Sequence, residues 1–273
     1  LSSPVCTQIR VACVGNSITM GRFINEPEID CYPSQLGMIL GDNFEVKNFG
    51  VSGRTMLKKG NYPIWVESLF LQAFEYKPDI VVILLGTNDS KEINWIYKDE
   101  FIPDYISMIN QFREIDPEPI IYACYPPPSW DVTWGIRGDI IAGEIIPMIE
   151  KIIDSVGVSL IDFHSPLEDK EFLFPDKIHP MDEGSWEMAK IAANSIDGVN
   201  IETINDVNVA KGQSVTVSGF DKKGGCPQYL NDGNRLTKWK VEGFGSWAIV
   251  DIGYPEEIDM FQLDFNENYS KGF

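Results

Sequence analysis

Asp176 and His179 stand three residues apart, a spacing that lets a carboxylate reach an imidazole within one turn of chain. A carboxylate bonded to one ring nitrogen fixes the tautomer and supports the imidazolium formed when the other nitrogen takes a proton. Such a base activates a hydroxyl, which is a poor nucleophile alone. Ser17 is the candidate. It lies just past Gly15 in Val11-Ala-Cys-Val-Gly-Asn-Ser-Ile-Thr19, where an apolar, β-branched run ends. Acyl transfer also needs fixed donors for the developing oxyanion. The Asn88 amide offers an NH2, and Gly53 lets a backbone N–H approach closely. Each residue also has a plainer use. Serine caps helices, Asp176 and His179 suit the start of a helix at Met181, Asn88 suits a turn, and Gly53 suits a positive φ.

The elements that would carry these residues alternate. Ile9 to Val14, Phe44 to Phe49, Asp79 to Leu85, Pro119 to Cys124 and Val158 to Phe163 are short, apolar and punctuated by turn residues, as strands are. Asp79 to Leu85 is apolar throughout, as in a parallel strand covered on both faces. Helical spacing runs through Pro33 to Leu40, Tyr62 to Tyr76, Asp99 to Ile115, Gly138 to Val156 with a kink expected at Pro147, and Met181 to Ile196. Five alternations predict an α/β fold, a parallel five-stranded sheet with helices on both faces. Ligands of such sheets bind beyond the carboxyl ends of the strands. Ser17, Gly53, Asn88, the Trp130–Trp134 loop and His179 all follow strand ends.

Composition sets outer bounds. A chain of 273 residues accommodates one large domain or a medium domain with a small one. The net charge of −19 argues against nucleic acid and anionic membrane surfaces as partners. No apolar run reaches the roughly 18 residues of a membrane span, so no membrane insertion is expected. The first eight residues lack periodicity and resemble no signal segment. The five cysteines form no C-x-x-C pair, which argues against a thiolate zinc site. Cys13 and Cys124 read as small core residues, and Cys6 and Cys31 as a possible pair. The two histidines are too few for a histidine-rich metal site.

Four stretches together resemble the sequence blocks of the SGNH hydrolases, also called the GDSL esterase and lipase family. Gly15-Asn-Ser-Ile-Thr19 resembles the nucleophile block, with Asn16 where many members have aspartate. Gly50-Val-Ser-Gly53 resembles the glycine block, Gly86-Thr-Asn-Asp89 the asparagine block, and Asp176-Lys-Ile-His179 the Asp-x-x-His block. They occur in family order between about residues 9 and 196. The resemblance implies a three-layer α/β/α, flavodoxin-like fold. It implies Ser17 as nucleophile, His179 as base and then acid, and Asp176 as its orienter. It also implies an oxyanion hole from the Ser17 and Gly53 backbone N–H groups and the Asn88 side chain. No metal or organic cofactor is implied, and His164, which matches no block, is read as structural.

The chain looks most like the carbohydrate O-acetylesterase branch, which implies an acetylated glycan or glycoside substrate and a secreted, periplasmic or cell-surface location. The stiff loop from Pro126 to Trp134 is consistent with that. Trp130 and Trp134 are its candidate substrate contacts, because tryptophan faces pack on sugar rings; they also pack on acyl chains and in cores. A lipase, lysophospholipase or thioesterase is the alternative, although no long apolar lid is evident. A non-catalytic glycan-binding protein is the other. Composition shifts near Gly198, so residues 1–198 are expected to form the catalytic domain and 199–273 a mostly β module. Its runs resemble about half of a discoidin-like (F5/8 type C), jelly-roll domain. In that family a structural calcium often sits near a turn that Asp232 and Thr237 match.

Overall fold

In a computed structural model of the chain, the structure describes residues 8–41, 43–196, 213–219, 227–231 and 246–251. The chain divides into two compact units, Leu1–Ile201 and Glu202–Phe273. In the first, β1 (Ile9–Gly15), β2 (Phe44–Gly50), β3 (Ile80–Leu84), β4 (Ile120–Tyr125) and β5 (Ser159–Asp162) form one sheet in the order β2-β1-β3-β4-β5. All its pairings are parallel. The order reverses between β1 and β3, and such a switch point opens a crevice at the carboxyl edge. Gly15 pairs with both Gly50 and Leu84, so β1, β2 and β3 end level and release their loops side by side.

Residues alternate between the faces with a period of two. Ala12, Val14, Val81, Ile83, Ile121 and Ala123 join a core with the helices Ser68–Glu75, Phe101–Arg113 and Ile146–Val156. Phe74 stacks on Phe112 there at 4.3 Å. On the other face the helices Tyr32–Leu40 and Asp182–Ser195 pack together, with Tyr32 against Phe163 at 5.5 Å. Each large side chain fully buried in these layers contributes about 1.5–3 kcal/mol.

One expected helix differs from the observed one, and a second is interrupted beside Pro147, where a kink or division is expected. Tyr62 to Tyr76 is helical over Ser68–Glu75, with a separate 3-10 turn at Ile64–Val66. The first part is drawn away because Pro63 bridges Thr55 and the Trp65 indole donates to Met56 O at 2.7 Å. Gly138 to Val156 is divided by a π-helical stretch at Ile141–Ile145. Pro147, which has no N–H to give, sits in the first turn of the α-helix that follows.

Cys13, Cys31 and Cys124 are buried free thiols. Cys6, the expected partner of Cys31, lies outside the described residues. The Cys31 Sγ is 3.2 Å from Ser34 Oγ and accepts from Asn48 Nδ2 at 3.3 Å. In the second unit, β6 (Ser214–Val217) pairs antiparallel with β7 (Ala248–Asp251). The run Ile258 to Phe265, and Asp232 and Thr237, lie outside the described residues. No helix among the described residues is long and apolar enough to cross a membrane.

Candidate active site

The turn after β1 is tightly built. A Cβ on Gly15 would lie 2.1 Å from Thr19 Oγ1 and 2.7 Å from Leu84 O, so glycine alone lets this turn sit against β3. The short helix Ser17–Met20 that follows is capped by Asn16, whose Oδ1 accepts from Ile18 N at 3.0 Å. Capping thus falls to Asn16, and the Ser17 hydroxyl is free for another partner. That partner is His179, whose Nε2 lies 2.8 Å from Ser17 Oγ across 162 positions of sequence.

His179 is held from behind. Its Nδ1 is 2.7 Å from Asp176 Oδ2. Asp176 Oδ1 accepts from the backbone N–H groups of Ile178 at 3.1 Å and His179 at 2.7 Å. The loop closes this tightly because Lys177 adopts φ +70. Ser17 and His179 are each 5 % exposed. Burial lowers the imidazole pKa below its ordinary value; Asp176 pulls it up, while the charges of Arg22 and Lys91 push it further down. Burial raises the Asp176 carboxyl, but the hydrogen bonds from His179 and Ile178 outweigh that and hold it below the usual range. At neutral pH the site therefore holds a neutral imidazole between a hydroxyl and a carboxylate, the state a general base requires.

The loops after β2 and β3 are tied to each other. Gly53 has φ +80, with open space where a Cβ would stand. Backbone conformation, and not crowding, therefore selects glycine there. Asn88 is 3 % exposed and its Nδ2 donates to Arg54 O at 3.2 Å, which leaves the second amide hydrogen available. Asn94 Nδ2 donates to Asn88 O at 2.8 Å and fixes that residue from below. The wholly buried Asp89 carboxylate accepts from Met56 N at 3.0 Å and Leu57 N at 2.8 Å. Burial pushes its pKa up to about 6 against the pull of these N–H groups. Arg54 pairs with Glu67 at 2.8 Å and anchors the far side of the loop.

The two tryptophans occupy different settings. The Trp130 indole donates to Glu168 O at 3.3 Å, and its ring packs on Phe174 at 5.0 Å. The Trp130 backbone N–H donates to Lys177 O at 3.3 Å, so this residue backs the Asp176–His179 loop. Trp134 is 59 % exposed at φ +57, and the Arg22 guanidinium lies 5.7 Å from its ring. The same guanidinium lies 4.5 Å over Phe23, whose ring meets His179 edge-on at 5.3 Å. His164 is structural: its Nδ1 is 3.0 Å from Pro126 O.

Sequence reasoning missed Arg22, Phe23, Lys91, Asp89 and Asn94. Asp89 and Asn94 follow Asn88 closely, and two further polar residues beside a strand end were a usable signal for buried clamps. Phe23 carried none, because its importance comes from a left-handed backbone that sequence does not display.

The strands and helices define a three-layer α/β/α fold, and comparison with known proteins fixes the family. The chain belongs to the GDSL-like Lipase/Acylhydrolase family, whose model matches residues 13–186. It is 41 % identical over 214 residues to an acetylxylan esterase of Xylanibacter ruminicola. That match covers 72 % of this chain and 45 % of the relative, so the chain spans about half the length of the curated relative it matches. Among solved structures, it resembles a carbohydrate acetylesterase from Sinorhizobium meliloti with TM-score 0.56 and 19 % identity, covering 68 % of this chain and 97 % of that one. It also resembles the M. smegmatis aryl esterase with TM-score 0.56 and 18 % identity, covering 70 % and 99 %. These two likenesses establish a shared fold.

Proposed function

We propose that this chain is a serine esterase that removes acetyl and other short acyl groups from a carbohydrate. The observation that carries the proposal is the relay of 2.8 Å from Ser17 Oγ to His179 Nε2 and 2.7 Å from His179 Nδ1 to Asp176. Ser17 Oγ attacks the ester carbonyl carbon as its proton passes to His179 Nε2. The carbonyl oxygen takes up the negative charge beside the Ser17 and Gly53 N–H groups and the Asn88 amide. Each well-placed donor there contributes about 3 kcal/mol. The tetrahedral adduct collapses, the C–O bond to the sugar breaks, and the imidazolium returns its proton to the leaving alcohol. Water then attacks the acyl-enzyme by the same route, releasing acetate and restoring Ser17.

The acetyl and carbohydrate parts are supported by the related acetylxylan esterase. Exposed Trp134 beside the triad is consistent with a sugar ring on the rim, and Trp130 braces the loop behind it. A polysaccharide substrate supports a secreted, periplasmic or cell-surface location. For residues 199–273 the discoidin-like proposal draws on the motifs around Tyr229 and Trp247 and on the β6–β7 antiparallel pair.

The test is Ser17→Ala, assayed on p-nitrophenyl acetate and by acetate release from acetylated xylan, with circular dichroism to confirm folding. Turnover is expected to fall about 10⁴-fold or more. Undiminished turnover by a folded variant would refute the assignment. A series of acyl chain lengths decides against a lipase if kcat/KM falls beyond short chains.

A further inference from the structure

Charge is spread unevenly around the triad of this very acidic chain. Most cations among the described residues are spent on carboxylates, such as Arg54 on Glu67, Lys59 on Glu100, Lys98 on Glu144 and Lys170 on Glu187. Arg22 and Lys91 have no carboxylate partner among the described residues. The charges of both reach the His179 imidazole. Phe23 touches the imidazole, Arg22 lies over Phe23 and near Trp134, and the next residue, Gly135, brings in Lys91. A Cβ on Gly135 would be 3.9 Å from Lys91 Cγ. Arg137, also without a carboxylate partner, donates from Nε to Ser90 O at 2.7 Å, next to Lys91.

The aromatics on this rim are as unusual as the charges. Phe23 and Trp134 are 61 % and 59 % exposed. Both hold left-handed backbone, φ +70 and +57, which strains a non-glycine residue and tends to persist at functional sites. Neither recovers that strain by burying its ring. Lys91 is half-buried, and burial lowers its pKa, so its charge has lost water without gaining a partner.

We propose that Arg22 and Lys91 bind the carboxylate of an acidic sugar, a uronic acid next to the acetylated residue, while Phe23 and Trp134 stack on the sugar rings. This rests on the esterase reading of Ser17 and adds to it the charge of the substrate. Guanidinium and ammonium groups bind carboxylates through charge-assisted hydrogen bonds, and aromatic faces match the apolar faces of pyranose rings.

The experiment compares two esters: an acetylated xylo-oligosaccharide, and the same oligosaccharide with glucuronic acid beside the acetylated unit. Their kcat/KM values are measured for the wild type, Arg22→Gln, Lys91→Gln and Lys77→Gln at one pH. Lys77 is an exposed cation just before β3, at the opposite edge of the sheet. Taking the ratio of the two substrates within each protein cancels any change in His179. The wild type is expected to prefer the acidic ester about tenfold. That preference falls toward one in Arg22→Gln and Lys91→Gln and survives in Lys77→Gln. Equal turnover of both esters by the wild type, or a preference retained in both rim variants, overturns the inference alone. Failure of the wild type on both esters overturns the carbohydrate-esterase reading and the inference with it.

Discussion

His179 is the residue on which the proposed chemistry turns, and its environment sets the expected pH response. Burial and the nearby charges of Arg22 and Lys91 disfavour the imidazolium, while Asp176 favours it. The net effect is a pKa below the ordinary 6.5. A base must be neutral to accept the Ser17 proton, so kcat/KM on p-nitrophenyl acetate is expected to rise with pH through a midpoint below that value. Arg22→Gln removes a cation that opposes protonation, and its midpoint moves up. A midpoint at or above 6.5 in the wild type, or a downward move in the variant, contradicts this account. The hydrogen-bonded set Ser17, His179 and Asp176 was legible in sequence because the proposed chemistry demands particular side chains at short spacing or at a strand end. Phe23 was not, because neither its exposure nor its φ of +70 leaves a trace in local sequence.

Among the elements, β3 was the most legible, because burial on both faces leaves only apolar, β-branched choices at Ile80–Leu84. The stretch from Tyr62 to Val66 was not legible, because its aromatic spacing mimics a helix. What decides its path is remote: the Trp65 hydrogen bond to Met56 and the bridge from Pro63 to Thr55. The same loop depends on Asp89. Its folded pKa of about 6 lies above the ordinary 3.8. A group raised in this way contributes stability that is fully present below its unfolded pKa and lost as pH rises through its folded pKa. Asp89→Asn cannot titrate. The stability of the wild type relative to this variant is therefore expected to decline by about 2 kcal/mol between pH 4 and pH 7. Urea titrations of both proteins at each pH measure it, and a gap that stays constant or widens with pH refutes the raised pKa of Asp89.

For the whole molecule, the topology explains why residues so distant in sequence act together. The strand order reverses between β1 and β3, so the turns carrying Ser17 and Asn88 emerge from adjacent strands. The Asp176–His179 loop arrives from beyond β5, ahead of the helix Asp182–Ser195. All of these residues lie within the compact unit Leu1–Ile201. A chain ending at residue 201 is accordingly expected to fold cooperatively and to retain turnover of p-nitrophenyl acetate. Thermal melting and initial rates check this, and a soluble, folded truncation without turnover would place part of the catalytic apparatus in residues 202–273.

The most direct measurement of the central claim is covalent labelling. A fluorophosphonate reacts with a serine whose hydroxyl is activated by a neighbouring base, and peptide mass spectrometry locates the adduct. One phosphonyl group on Ser17 in the wild type, and none in His179→Ala under the same conditions, is the result expected here. An unlabelled Ser17 in active protein, or equal labelling after the imidazole is removed, would contradict the account.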